Sequence, residues 1–225
     1  MLILYSDTII FIIELIGTVA FASAGALMGI RKEMDIFGVN ILGITTACGG
    51  GLIRDLILGR KPPVMFRAPV YTLLAVATSC LLFILIYRRE TLLNSRLMLL
   101  YERTMMFCDS IGLGVFTVVG VNTALYTVGD RFLFLQIFVG VLTGVGGGLL
   151  RDLMAGTTPF ILVKHVYACA SLVGAAACAL LCRHMPNVYA MLTGAVLTII
   201  IRFLAAHYKW NLPRIRVGGS GQDKE

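Results

Sequence analysis

The octapeptide Gly49-Gly50-Gly51-Leu52-Ile53-Arg54-Asp55-Leu56 returns 97 residues further on as Gly146-Gly147-Gly148-Leu149-Leu150-Arg151-Asp152-Leu153. Each copy couples a glycine triplet to a cation and an anion within an otherwise apolar stretch. Glycine costs ~1 kcal/mol relative to alanine in a helix interior, so three in a row need an offsetting role. One such role is a broken helix whose carbonyls face a pathway and replace part of an ion's hydration shell. The other is close helix packing, for which Gly25-xxx-Gly29 and Gly140-xxx-Gly144-xxx-Gly148 supply the spacing. Ionised groups at membrane depth are costly unless paired or hydrated, and they commonly mark a pathway; for Arg54 and Arg151 the alternative is snorkelling toward the headgroups. Neighbouring residues on a helix point about 100° apart, which makes Arg54 and Asp55 poor partners for each other. The expected partners lie on other helices: Asp152 or Asp109 for Arg54, and Asp55 or Glu14 for Arg151.

The likeness extends beyond the octapeptide. At the same offset Gly43 matches Gly140, Thr46 matches Thr143, Gly59 matches Gly156 and Pro62 matches Pro159. At an offset of 95, Glu14, Ile16, Gly17, Phe21 and Gly25 match Asp109, Ile111, Gly112, Phe116 and Gly120. Thr46 and Thr143 offer hydroxyls either to a passing ion or back to their own helices. Glu14 and Asp109, read as a turn or two from the start of their helices, either complement the helix dipole or face a pathway. The candidate pathway residues are thus Thr46, Gly49, Gly50, Gly51 and Asp55 with Thr143, Gly146, Gly147, Gly148 and Asp152. Arg54, Arg151, Glu14 and Asp109 are the candidate charge pairs and gating groups.

The elements that must position these residues follow from composition. Of 225 residues 58% are apolar and 14% charged, and the mean hydropathy is +0.89. A soluble domain carries about 25% charged residues and could not hide so much apolar surface. The chain is therefore read as an all-α integral membrane protein with seven apolar spans, at about 9–30, 37–58, 69–87, 104–128, 131–154, 161–182 and 187–206. Each copy takes three spans, an odd number, so the second enters the membrane in the opposite direction. Two inverted three-helix repeats then meet at the midplane, where transporters and channels place their pathway, and a seventh helix stands without a partner. The expected organisation is one membrane domain over 1–210, with repeat 1 at about 8–90, repeat 2 at about 103–184 and helix 7 at about 187–206. A flexible cytoplasmic tail follows over 211–225. Sorted by loop parity, six Lys and Arg fall on the N-terminal side and the other thirteen of the 19 on the opposite side, so the N-terminus is expected outside and the C-terminus in the cytoplasm.

Other classes fit less well. The net charge of +7 is spread between apolar runs and forms no nucleic-acid patch. Cys48, Cys80, Cys108, Cys169, Cys178 and Cys182 sit mostly in apolar stretches without a CxxC pair, so neither disulfides nor a metal site is expected. An intramembrane enzyme would need motifs such as HExxH or GxSxG within a span, and none is present; His165, His184 and His207 lie near membrane edges.

The duplicated GGGxxRDxxxGxxP, the three-plus-three-plus-one layout and the length resemble the prokaryotic branch of the trimeric intracellular cation (TRIC) channel family, over the chain to about residue 210. The resemblance implies a homotrimer in a prokaryotic plasma (inner) membrane. Each protomer would carry its own pore, lined chiefly by spans 1, 2, 4 and 5, with spans 2 and 5 kinked at Gly49-Gly51 and Gly146-Gly148. It implies potassium as the main permeant ion with sodium also passing, membrane lipids but no nucleic acid as partners, no enzyme activity and no cofactor. Part of the same bacterial family resembles small-amino-acid, especially glycine, transporters, which is the alternative expectation.

Overall fold

The computed structural model describes residues 2–88, 95–163, 166–208 and 210. The described residues form helices and no strand. The first copy comprises α1 (Leu2–Arg31), α2 (Ile36–Ile57), the short α3 (Val64–Arg67) and α4 (Val70–Tyr87). The second comprises α5 (Ser95–Val128), α6 (Leu133–Met154), the short α7 (Phe160–Val163) and α8 (Tyr167–Leu181), and α9 (Asn187–His207) follows. Six of the helices are long and apolar enough to cross a membrane, and α8 is a shorter apolar helix.

Three expected boundaries move, the first span starting at Leu2 where about 9 was expected. The span at 161–182 divides into α7 and a 15-residue α8, with 164–165 outside the described residues. The span placed at 104–128 starts nine residues earlier, at Ser95. The early starts of α1 and α5 also overturn the dipole role for Glu14 and Asp109. Both acids lie several turns inside their helices, whereas the dipole acts within the first turn. The tail 211–225 and His165 lie outside the described residues.

Local chemistry sets the helix ends. Asp35 caps α2 by accepting a hydrogen bond from the Gly38 amide at 2.7 Å. Beyond α2, Gly59 takes a left-handed conformation (φ +67°), and the amide of Arg60 closes back on the Asp55 carbonyl at 2.8 Å. Beyond α6, Gly156 (φ +63°) does the same, and the Thr157 amide reaches the Asp152 carbonyl at 2.9 Å. The matched glycines are thus matched helix terminators.

The centre of the molecule is built from α1, α2, α5 and α6, with α4 laid on α1 and α2, α8 on α5 and α6, and α9 on α5 and α8. Small residues let the backbones approach, as packing in lipid requires. Ala22, Ala24 and Ala26 are fully buried, and a side chain at Gly25 would overlap the backbone of Leu42 and Gly43. The outer faces carry Phe11, Ile12 and Ile16 of α1 and Leu73, Leu81 and Leu85 of α4, exposed as a lipid-facing surface should be.

Candidate functional site

The two octapeptides meet where α2 crosses α6. A methyl group at Gly50 would overlap the carbonyl oxygen of Thr143, and one at Gly147 would overlap that of Thr46. One at Gly49 would lie 2.6 Å from Leu150 Cδ1, and one at Gly146 would lie 3.3 Å from Ile53 Cδ1. The contacts are reciprocal, residue for matched residue. The same holds one layer away, where Gly17 packs on Phe116, Gly112 packs on Phe21, and the two rings stand 5.2 Å apart. Helix continues unbroken through both triplets, where broken helices were expected. The offset to their intrinsic cost is this backbone-to-backbone approach. Thr46 and Thr143 are fully buried and donate back to Leu42 O and Val139 O, each at 2.6 Å.

One turn further on lie the charges, and here the expected pairing is corrected. Arg54 Nε bonds Asp55 Oδ1 at 2.9 Å and Arg151 Nε bonds Asp152 Oδ1 at 2.9 Å, so the adjacent residues are partners after all. The long arginine side chain curls across the angular gap, and the helix end holds the aspartate in place. Its second oxygen accepts an amide from the next segment, Val64 N at 2.7 Å for Asp55 and Phe160 N at 2.8 Å for Asp152. Each aspartate thereby ties its helix to the following short one. Among Glu14, Arg54, Asp55, Asp109, Arg151 and Asp152, no ion pair crosses from one copy to the other. Arg151 instead bonds Asp109 of its own copy, Nη1 to Oδ1 at 2.6 Å.

Sequence reasoning missed three members of these clusters. Tyr71 of α4 donates to Glu14, and Tyr167 of α8 donates to Asp109 Oδ1 at 3.4 Å, so each acid has a tyrosine from its own copy. The signal was present, because Tyr71 and Tyr167 follow the matched prolines at nearly the same spacing. Arg202 of α9 was counted as a topogenic charge, but it is 4% exposed and its guanidinium lies 4.6 Å from the Tyr167 ring centroid. An arginine inside an apolar span was the clue.

The two clusters differ in how closely they are packed. Around Arg54, a cavity of about 40 Å³ is lined by Glu14, Thr18, Gly51, Arg54, Asp55 and Tyr71 among others, and it has room for at least one water. Around Arg151 the packing leaves Arg151 Nη2 and Asp109 Oδ2 buried without a hydrogen-bond partner. Arg151, Asp109 and Asp152 are fully buried, with the Phe160 ring 5.1 Å from the guanidinium. The six cysteines are free thiols, and no group of His, Cys, Asp and Glu fit to hold a metal ion occurs among the described residues.

Comparison with known proteins places this architecture. The family model described as Glycine transporter matches residues 11–87 and again 106–183, one match to each copy. A UPF0126 membrane protein of Deinococcus radiodurans is 37% identical over 203 residues, 89% of each chain. The UPF0126 inner membrane protein YadS of Escherichia coli is 33% identical over 95% of this chain and all of its own length. Among solved structures, the TRIC trimeric intracellular cation channel orthologue from Rhodobacter sphaeroides is 34% identical, with TM-score 0.80 over 90% of this chain and 100% of that one. A prokaryotic TRIC channel in 0.5 M KCl is 28% identical, with TM-score 0.81 over 92% and 100%. The duplicated motif, the helices that carry it and these likenesses agree: the chain is a membrane protein of the UPF0126 family, and it has the fold of the prokaryotic TRIC channels.

Proposed function

We propose that this protein is a passive channel for monovalent cations, chiefly potassium with sodium also passing, with a path in each protomer between the two copies. The observation that carries the reading is the likeness, over 90% or more of the chain, to structures described as TRIC cation channels. The copies are inverted repeats within one membrane domain. The reciprocal Gly50–Thr143 and Gly147–Thr46 contacts support this, because a two-fold relation produces such exchange. The N-terminus lies outside and the C-terminal tail in the cytoplasm, on the distribution of Lys and Arg. The assembly is a homotrimer in lipid, as the neighbours' description as trimeric suggests, with no cofactor and no nucleic-acid partner.

In this reading the path runs past the triplets and the Thr46, Thr143, Asp55 and Asp152 positions. The crossing is tight in the conformation described, so conduction requires α2 and α6 to part and expose carbonyls to the ion. Arg54 and Arg151 would repel cations if bare, and the carboxylates on each of them keep the net charge near zero. Gating then involves rearrangement of these pairs with Glu14 and Asp109. Purified protein in planar bilayers should give currents whose reversal potential in a KCl gradient follows potassium, and Asp55→Asn should alter their conductance. Anion-selective reversal would overturn the proposal. The family model's description favours one second reading, transport of a small amino acid, and saturable glycine uptake into vesicles without current would select it.

A further inference from the structure

A pair of thiols stands apart from the charge clusters. Cys178 of α8 and Cys182, the residue that caps α8, are four positions apart, which puts both side chains on one face of the helix. A hydrogen bond links the two thiols. Cys178 is fully buried and Cys182 half-buried. The neighbouring helix brings a third sulfur. α8 and α9 run antiparallel, because Gly174 faces Gly194 and Thr198 while Cys178 faces Gly194, where a side chain would lie 2.8 Å from Cys178 Cβ. Met191 comes three residues before Gly194, so it shares that face and stands on the side toward Cys182. It is fully buried and packs in the same cluster as Cys178, with Cys182 at the cluster's edge.

A single buried thiol or thioether ordinarily serves as packing. Three sulfurs from two helices, two of them thiols already in contact, are a donor set. Thiolate and thioether ligands select soft ions such as copper(I). Zinc takes four ligands, and no group of three or more His, Cys, Asp and Glu fit to hold it occurs among the described residues. We propose that Cys178, Cys182 and Met191 bind one soft monovalent metal ion, copper(I) or silver(I), between α8 and α9. The site shares no residue with the glycine crossing or the arginine clusters, so it stands independently of what passes between the two copies. Entry is past the half-buried Cys182, where the charge of Asp130 acts on the thiol and Arg183 donates to the Asp130 carbonyl at 3.1 Å. As the ion enters, both thiols release their protons to water, two metal–thiolate bonds form and Met191 adds a neutral lone pair, with no change of oxidation state. The complex carries one negative charge, which the adjoining Arg183 offsets.

The test is metal binding, which is read separately from conduction or uptake. Full-length protein in nanodiscs, with Cys48, Cys80, Cys108 and Cys169 replaced by alanine, is titrated anaerobically with copper(I) against the chelator bicinchoninate. A single copper per chain is expected, with release of both thiol protons and an X-ray absorption spectrum showing sulfur ligands alone. Cys178→Ala and Cys182→Ala should each abolish this binding, and Met191→Leu, which keeps the volume, should weaken it about tenfold. The wild-type chain supplies a second measurement that needs no substitution. Copper(I) held at the same buffered level should slow alkylation of Cys182 by N-ethylmaleimide about tenfold, as read by peptide mass spectrometry. The proposal is overturned if the alanine variants keep the parent's copper affinity, if Met191→Leu leaves it unchanged, if the ligands are nitrogen or oxygen, or if Cys182 is alkylated at the same rate with and without copper.

Discussion

Arg151 is sealed between two carboxylates under Phe160, with Arg202 of α9 stacked on the tyrosine of the same cluster, whereas Arg54 keeps one carboxylate and a cavity. The motif residues of the two copies are the same, so the difference comes from what surrounds them. In the second copy α9 lies against α5 and α8 beside the cluster; among the described residues no helix takes the corresponding place in the first copy. Aspartate at 109 reaches its arginine, while glutamate at 14, one methylene longer, is held by Tyr71 instead. A duplicated motif therefore fixes which groups are present, and an unduplicated helix alters how closely they are packed.

This contrast can be tested from its largest expected effect downward. Asp109→Asn leaves the fully buried Arg151 with a single counter-charge and should cost about 3–5 kcal/mol in thermal unfolding in detergent. Glu14→Gln, at a half-buried position beside a cavity, should cost under about 1 kcal/mol. Equal losses would erase the distinction between the copies. The crossing, by contrast, should behave symmetrically. Gly50→Ala and Gly147→Ala each drive a methyl group into a carbonyl and should each cost about 1–3 kcal/mol or more, whereas a large inequality would show that the two contacts are not equivalent. Arg202→Met removes the guanidinium from the Tyr167 ring and should cost about 1–2 kcal/mol; no change would mean that α9 seals the cluster by bulk alone. The smallest pair is the sharpest. Gly51→Ala faces open space and should gain up to about 1 kcal/mol from helix propensity. Gly148→Ala, whose methyl would lie 2.8 Å from the Tyr167 hydroxyl, should lose about that much.

The helices and their duplication were readable from the sequence, because apolar run length and a repeated octapeptide are one-dimensional signals. The pairing of charges was not. It depends on how far a flexible arginine curls and on whether an aspartate is already anchored by the amides of Val64 or Phe160. Both are three-dimensional facts. The triplets were likewise ambiguous, since a glycine run serves a broken helix or a close crossing equally well until the opposing backbone is in view. Arg202 escaped for a different reason. It sits near a span end, where an arginine ordinarily reads as a topology signal, and burial against Tyr167 gives it another meaning.

The crossing of α2 over α6 also has a kinematic consequence. At Gly50 and Gly147 the nearest opposing atoms are backbone, and each carbonyl fits a notch in the opposing helix. Sliding one helix along the other would drive Thr46 or Leu150 into that notch. Turning one helix about the line through the contact would not. The matched glycines therefore leave the two halves of the molecule a pivot, and the freedom that remains between them is rotational.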